Sequence, residues 1–212
     1  DPIPTRWQTT TAGTGGKLMY RLGALREYYA PLYSRVPEDF DAFADVCLHI
    51  VRHLNDGWAD GLHAGIEYWE IWNRADDRCC WAGTAEEYYR LYDVTARRLK
   101  AAYPALKVGG PAAAYCGGDN AFLRGFLEYV RSNSVPCDFV SWNYFGLDPA
   151  EAGRQARTVK AMVLETLGSS VEVINDEWNA VTEKENGMMD GLHARDAQGG
   201  AFCGAFMTEM HK

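Results

Sequence analysis

No apolar run in the 212-residue chain approaches the ~20 residues that a membrane-spanning helix requires. Basic charge is scarce: 21 Lys and Arg stand against 29 Asp and Glu, for a net charge of −8. Without a basic stripe there are no counterions to release from a phosphate backbone, which argues against nucleic acid and anionic membrane as partners. Six cysteines, at 47, 79, 80, 116, 137 and 203, include no pair with zinc-ribbon spacing, and neither a metal nor a cofactor is called for. Cys47 and Cys203 fall in apolar helical patterns and read as small core residues. The adjacent Cys79 and Cys80, in a loop, leave a disulfide open. No internal repeat and no interdomain linker is present. A nucleotide-binding glycine fingerprint is also missing: KLMYRLGALREYY does not match it, and Gly109-Gly110-Pro111 lacks its spacing and context. The start, DPIPTRWQTTTAGTGGK, has neither a charged-then-apolar signal pattern nor an initiator Met, the form of a processed or truncated chain.

What is present is the composition of a globular protein, 47% hydrophobic and 24% charged, and long enough for one domain with a sizeable core. Aromatic residues reach 13%, with seven Trp and twelve Tyr. Core packing accounts for most of them. One stretch organises the chain. Ile66 to Asp77, IEYWEIWNRADD, is a β-branched and aromatic run carrying Glu70, which breaks into the polar cluster Asn73-Arg74-Ala75-Asp76-Asp77. It predicts a short buried strand ending in a functional loop. Val171 to Ala180, VEVINDEWNA, has the same form and delivers Asp176, Glu177, Trp178 and Asn179. Two strands that end in acids and amides point to a parallel sheet with a site along one rim. Strand alternation predicts Glu70 pointing inward with Trp72, in a buried pair with an arginine such as Arg21. Trp69 and Trp72 read as core, and His49 and His53 as packed or surface residues near a helix.

Residues 1–16 read as irregular and 17–212 as one domain. Lys17 to Gly23 predicts a strand and Arg26 to Val36 a loop. Pro37-Glu38-Asp39 opens a helix running to about Leu54, with Phe40, Phe43, Val46, Cys47, Ile50 and Val51 on its apolar face. Thr84 and Glu87 form a capping box for a second helix, which reaches Tyr103. Strands follow at Leu106 to Pro111, Asp138 to Phe145 and Val171 to Asn179, and helices at Asn120 to Asn133, Ala150 to Leu167 and Gln198 to Lys212. Thr182 to Asp196 reads as a loop. This alternation of strand and helix means a parallel α/β sheet, either open and doubly wound or part of a (β/α)8 TIM barrel. The absent glycine fingerprint favours the incomplete barrel, with about five parallel strands.

The segments IEYWEIWN, WAGTAEEYYRLYDVTARRLKAAYPALKVGGP, DFVSWNYFG and VINDEWNA, with YRLG and HIVRHLNDGWADG upstream, resemble in order the family 39 glycoside hydrolases, the group of β-xylosidases and α-L-iduronidases. The likeness covers nearly all of 17–212. It implies a (β/α)8 barrel cleaving glycosides with retention, of which this chain matches strands three to seven. In that family the acid/base is the Glu of an Asn-Glu-Pro motif and the nucleophile is a Glu ending the seventh strand. The resemblance puts Glu177 at the nucleophile and Asn73 at the amide that bonds the sugar 2-hydroxyl. Arg74 falls at the acid/base, Ala75 at the proline, and Asn143 where a His is frequent.

A retaining glycosidase needs two carboxyls about 5 Å apart, one to attack and one to protonate the leaving oxygen. Arginine stays protonated and cannot give a proton. The substitution predicts a feeble hydrolase or none unless Asp76 or Asp77 takes over, because a missing general acid costs on the order of 10²–10⁴ in rate. If Arg74 points inward, it pairs with Glu177. Trp142, Tyr144 and Trp178 are candidate walls of a sugar pocket, since rings pack on apolar sugar faces. The expected ligand is a carbohydrate, with a xylosyl or uronosyl glycoside as substrate. The alternative is a degenerate module that binds sugar or serves assembly without cleaving. Two exposed parallel edges in a five-stranded piece of barrel predict a homo-oligomer that covers them.

Overall fold

A computed structural model of the chain describes residues 11, 13–23, 34–114, 116–117, 120–183, 189–190 and 196–212. Strand and helix alternate through β1 (Met19–Leu22), α1 (Phe40–Asp56), β2 (Tyr68–Ile71), α2 (Ala85–Ala102), β3 (Lys107–Ala113), α3 (Ala121–Ser132), β4 (Phe139–Phe145), α4 (Pro149–Thr166) and β5 (Glu172–Asn179). A short antiparallel pair, β6 (Thr182–Glu183) and β7 (Met189–Asp190), precedes α5 (Ala197–Met210). That pair corrects the expectation of an unbroken loop from Thr182 to Asp196. Most of the predicted loop from Arg26 to Val36 lies outside the described residues. At the start, 13–14 lie in a helical turn where irregular chain was expected.

Local chemistry explains the helix ends. Asp39 is not inside the first turn of α1 but caps it, accepting from the Ala42 amide at 3.0 Å. An Asp oxygen offered to an orphan N–H does more there than a helical Asp would. Gly57, with φ 77°, ends α1 in the left-handed conformation that only glycine adopts without cost. The capping box is present on α2. Thr84 Oγ1 accepts from the Glu87 amide at 3.2 Å, and Glu87 Oε2 accepts from the Thr84 amide at 2.7 Å. Thr84→Ala is expected to lower stability by about 1 kcal/mol in urea unfolding; an unchanged midpoint would show that the cap contributes nothing.

The five long strands are parallel and pair in the order β1-β2-β3-β4-β5. Their outer face and helices α1 to α3 enclose the core, where Trp69, Trp81, Tyr88, Tyr92, Leu91, Leu99 and Phe126 are fully buried. The Tyr88 hydroxyl donates to the Ile71 carbonyl at 2.9 Å, so even the polar end of this layer is satisfied. Two expected core residues are corrected: Cys203 is exposed, and Val46 is 56% exposed. Both sit on helix faces turned away from the sheet. No disulfide joins Cys79 and Cys80; Cys79 is exposed and Cys80 buried.

The sheet curls. In a flat sheet β1 and β5 would lie four strand spacings apart, roughly 19 Å at ~4.8 Å each. Yet Arg21 on β1 touches both Asp176 and Glu177 on β5. Lys107 on β3 and Tyr68 on β2 likewise both meet Glu172 on β5. Side chains from non-adjacent strands therefore converge on one inner face, the geometry of an incomplete TIM-barrel-like half-barrel rather than an open doubly wound sheet. Tyr68, Lys107 and Glu172 each begin or nearly begin a strand, so their network closes the end of the interior opposite the strand C-termini. No described helix is long and apolar enough to cross a membrane.

Candidate active site

The C-terminal ends of β2, β4 and β5 build the rim. On β2, alternation sends Trp69 and Ile71 to the helix layer and leaves Glu70 facing inward, its side chain completely buried. The expected partner is there, since Arg21 Nε donates to Glu70 Oε2. The same guanidinium reaches further than a pair. Nη2 binds Asp176, and Nη1 lies 3.3 Å from Glu177 Oε2. One cation thus carries three carboxyl groups.

Two adjacent acids can face inward only because β5 departs from regular pleating. Trp142 pairs with Asn175 while the next residue, Asn143, pairs with Glu177, so Asp176 is an extra residue in the ladder. Such a bulge turns consecutive side chains to one face. Asn143 Nδ2 then donates to Asp176 Oδ1 at 3.0 Å. The two acids differ sharply in exposure: the Asp176 side chain is completely buried, and that of Glu177 is 42% exposed. Burial pushes the Asp176 carboxyl up, and the neighbouring Glu70 carboxylate adds to the rise against the opposing pull of Arg21, to about 8. Glu177 is thus the acid of this trio that solvent can reach.

At the tip of β2 the backbone is strained. Trp72, Arg74 and, on β3, Ala112 have φ of 68°, 53° and 53°. Left-handed non-glycine residues cost roughly 1–3 kcal/mol each and gather where function holds them. The strain at Trp72 corrects one expectation. Instead of pointing inward beside Glu70, its ring swings to the helix layer, 5.8 Å from Phe43 and 5.1 Å from Trp81. Asn73 is 1% exposed, and neither atom of its amide has a hydrogen-bond partner among the described residues. Buried amides are seldom left so.

Arg74 does not pair with Glu177; Arg21 does. Arg74 Nη2 instead binds Asp77 Oδ2 at 2.8 Å, and its guanidinium stands 5.1 Å over the Phe145 ring. Asp76 Oδ1 accepts from the Ala114 amide and Asp77 Oδ1 from the Cys79 amide, both at 2.8 Å. These two acids fasten the loop to itself and to the residue that follows β3.

The three aromatic wall candidates are corrected as well. Trp142 and Tyr144 alternate with Asn143 and so lie on the outer face, 1% and 5% exposed. The Tyr144 hydroxyl donates to the Asp148 carbonyl at 2.6 Å. Trp178 stacks on Phe206 of α5 at 4.3 Å. All three rings fill the layer between sheet and helices. Arg21, Glu70 and Asp176 are the members of the cluster that the sequence did not single out as site residues. The adjacent acids of INDEWN were a signal, but regular alternation would have sent one of them outward. Among the described residues, no group of three or more His, Cys, Asp and Glu is arranged to hold a metal ion.

Comparison with known proteins gives the same direction. The family model for glycosyl hydrolases family 39 matches residues 27–184. A β-xylosidase of Geobacillus stearothermophilus is 35% identical over 108 residues, covering 50% of this chain and 20% of that protein. One from Caldicellulosiruptor saccharolyticus is 31% identical over 116 residues, covering 54% and 22%. The chain thus spans about a fifth of the length of these curated relatives. Among solved structures, a glucosidase from Croceicoccus marinus superposes with a TM-score of 0.80 at 28% identity, covering 98% of this chain and 42% of that one. A β-xylosidase from Caulobacter crescentus, at 21% identity, shares the fold with a TM-score of 0.68 over 92% of this chain and 42% of its own.

Proposed function

The chain belongs to family 39 of the glycosyl hydrolases, and from that premise we propose that its inner rim binds a glycoside with Glu177 as nucleophile but without the acid that ordinary substrates need. The observation that carries this reading is the position of Glu177. It is half-exposed at the C-terminal end of β5, on the inner face, and held by Arg21. A carboxylate beside a guanidinium can attack the anomeric carbon to give a covalent glycosyl ester. Asn73, with its unpartnered amide, and Asn143, whose Oδ1 also lacks a partner among the described residues, would take sugar hydroxyls. The β-xylosidase relatives favour a xylosyl glycoside as substrate, with a uronosyl glycoside as the second candidate.

The leaving oxygen is the weak point. Arg74 cannot protonate it, and Asp76 and Asp77 are engaged in the loop. Turnover is then confined to glycosides whose leaving group departs as a stable anion. Ordinary xylosides are bound and cleaved slowly at best. The reading of a pure sugar-binding module draws on the same Arg74 and differs only in predicting no turnover at all.

The test pairs kinetics with binding. The natural chain should hydrolyse a nitrophenyl β-xyloside slowly, Glu177→Gln should abolish that turnover, and both should bind xylo-oligosaccharide saturably in calorimetry. Binding without any turnover selects the non-cleaving module. Absence of both removes the carbohydrate site.

A further inference from the structure

Three carboxyl groups surround the Arg21 guanidinium, and two of them, Glu70 and Asp176, have side chains with no exposure. If both were ionised, the buried part of the cluster would carry two negative charges against one positive, an uncompensated charge that a protein interior does not tolerate. One proton on the pair makes the buried part neutral. It also converts one carboxyl into a donor toward the other, and Nε and Nη2 of one guanidinium gather an oxygen of each. Glu70 Oε1 has no other partner among the described residues. The groups facing the pair come from every neighbouring element: Arg21 from β1, Tyr88 from α2, Cys116 after β3, Asn143 from β4 and Glu177 from β5. Arg21 alone among them is a cation.

We infer that Glu70 and Asp176 share a single proton, and that this proton determines how the Arg21 fork is divided between the buried pair and Glu177. With the proton in place, the pair carries one negative charge and Arg21 Nη1 is available to Glu177. With the proton gone, two buried carboxylates draw the guanidinium inward and away from Glu177. Glu70 and Asp176 are then positioning residues: they touch no substrate and act on the nucleophile through Arg21. Loss of the proton centres near pH 8. The catalytic meaning of this arrangement rests on Glu177 being the nucleophile, whereas the sharing itself does not.

The test is a carboxyl-carbon NMR titration of the full chain labelled at glutamate Cδ, with the Glu177 signal assigned by its loss in Glu177→Gln. No turnover is involved, so the result stands apart from whether the chain cleaves a sugar. The Glu177 signal of the natural chain should show a step centred near pH 8, beyond its own ionisation. Asp176→Asn and Glu70→Gln should each remove that step, since either leaves one buried carboxyl and nothing to share. A Glu177 signal flat through this range in the natural chain overturns the inference, as does a step that survives in either variant. If one variant does not fold, the other and the natural chain decide.

Discussion

Replacing Arg74 by Glu is expected to raise hydrolysis of xylosides with poor leaving groups by on the order of 10²–10⁴, the range a positioned general acid supplies. The backbone asks for little change. Residue 74 sits at φ 53° in the natural chain, and Arg and Glu tolerate that conformation equally badly. The electrostatic change works in the required direction. Arg74 now neutralises Asp77 at 2.8 Å and is only a quarter exposed. A glutamate in its place faces Asp77 as a like charge in a partly buried setting, which raises its pKa and keeps the proton available near neutral pH. The dependence on leaving group is the sharper readout. The natural chain should slow steeply as the leaving group becomes more basic, and Arg74→Glu should flatten that slope. Adding Glu177→Gln to the variant should return it to background. Equal slopes for the two chains, or a gain that survives in the double variant, would refute the roles given to positions 74 and 177.

Stability should fall as pH rises from about 5 to 8, and the cause is Asp176. Its folded pKa, about 8, lies far above the ~3.9 of an unfolded aspartate. Between those values the folded chain holds a proton that the unfolded chain has released. Stability is therefore fully present below the unfolded value, declines as pH rises, and has lost all of this contribution above the folded value. The slope has a ceiling of about 1.4 kcal/mol per pH unit for one proton, and each kcal/mol moves the melting temperature of a chain this size by roughly 2–4 °C. Asp176→Asn removes the titrating group and preserves the hydrogen-bonding shape, so its melting temperature should change far less over the same interval and should exceed that of the natural chain at pH 9. Glu172 and Glu151 are held low, Glu172 chiefly by its hydrogen bond from Lys107 and Glu151 by those from Gln155 and Arg154. They affect stability below the usual carboxylate range and leave this window clear. Parallel melting curves for the natural chain and Asp176→Asn would contradict the assignment.

Much of this protein is legible along the chain because its signals are local. The capping box of Thr84 and Glu87 lies within four consecutive residues, and period-2 and period-3.6 patterns locate strands and helices to within three residues. Glu70 with Arg21 was likewise legible, since a carboxylate among buried aromatics demands a cation. The errors share one origin. Trp72 was expected inside, and Trp142, Tyr144 and Trp178 were expected to line the pocket. Trp72 turns outward because φ becomes positive there. The other three follow the pleat of β4 and β5 onto the helix layer, where Phe206 meets Tyr144 and Trp178. Aromatic identity alone does not say which face of a sheet a ring joins.

The sequence by itself determined the alternation of strands and helices, the family, and the acid that ends β5. Only the tertiary structure decided that Asp176 and Glu177 share one face, that Arg21 rather than Arg74 holds Glu177, and that Asp76 and Asp77 are tied into their loop. The reason is distance along the chain. Arg21 and Glu177 are 156 residues apart, and their meeting depends on how far five strands curl and on one extra residue in β5. Neither the curl nor the bulge is written in any local pattern; both come from packing the whole sheet against its helices.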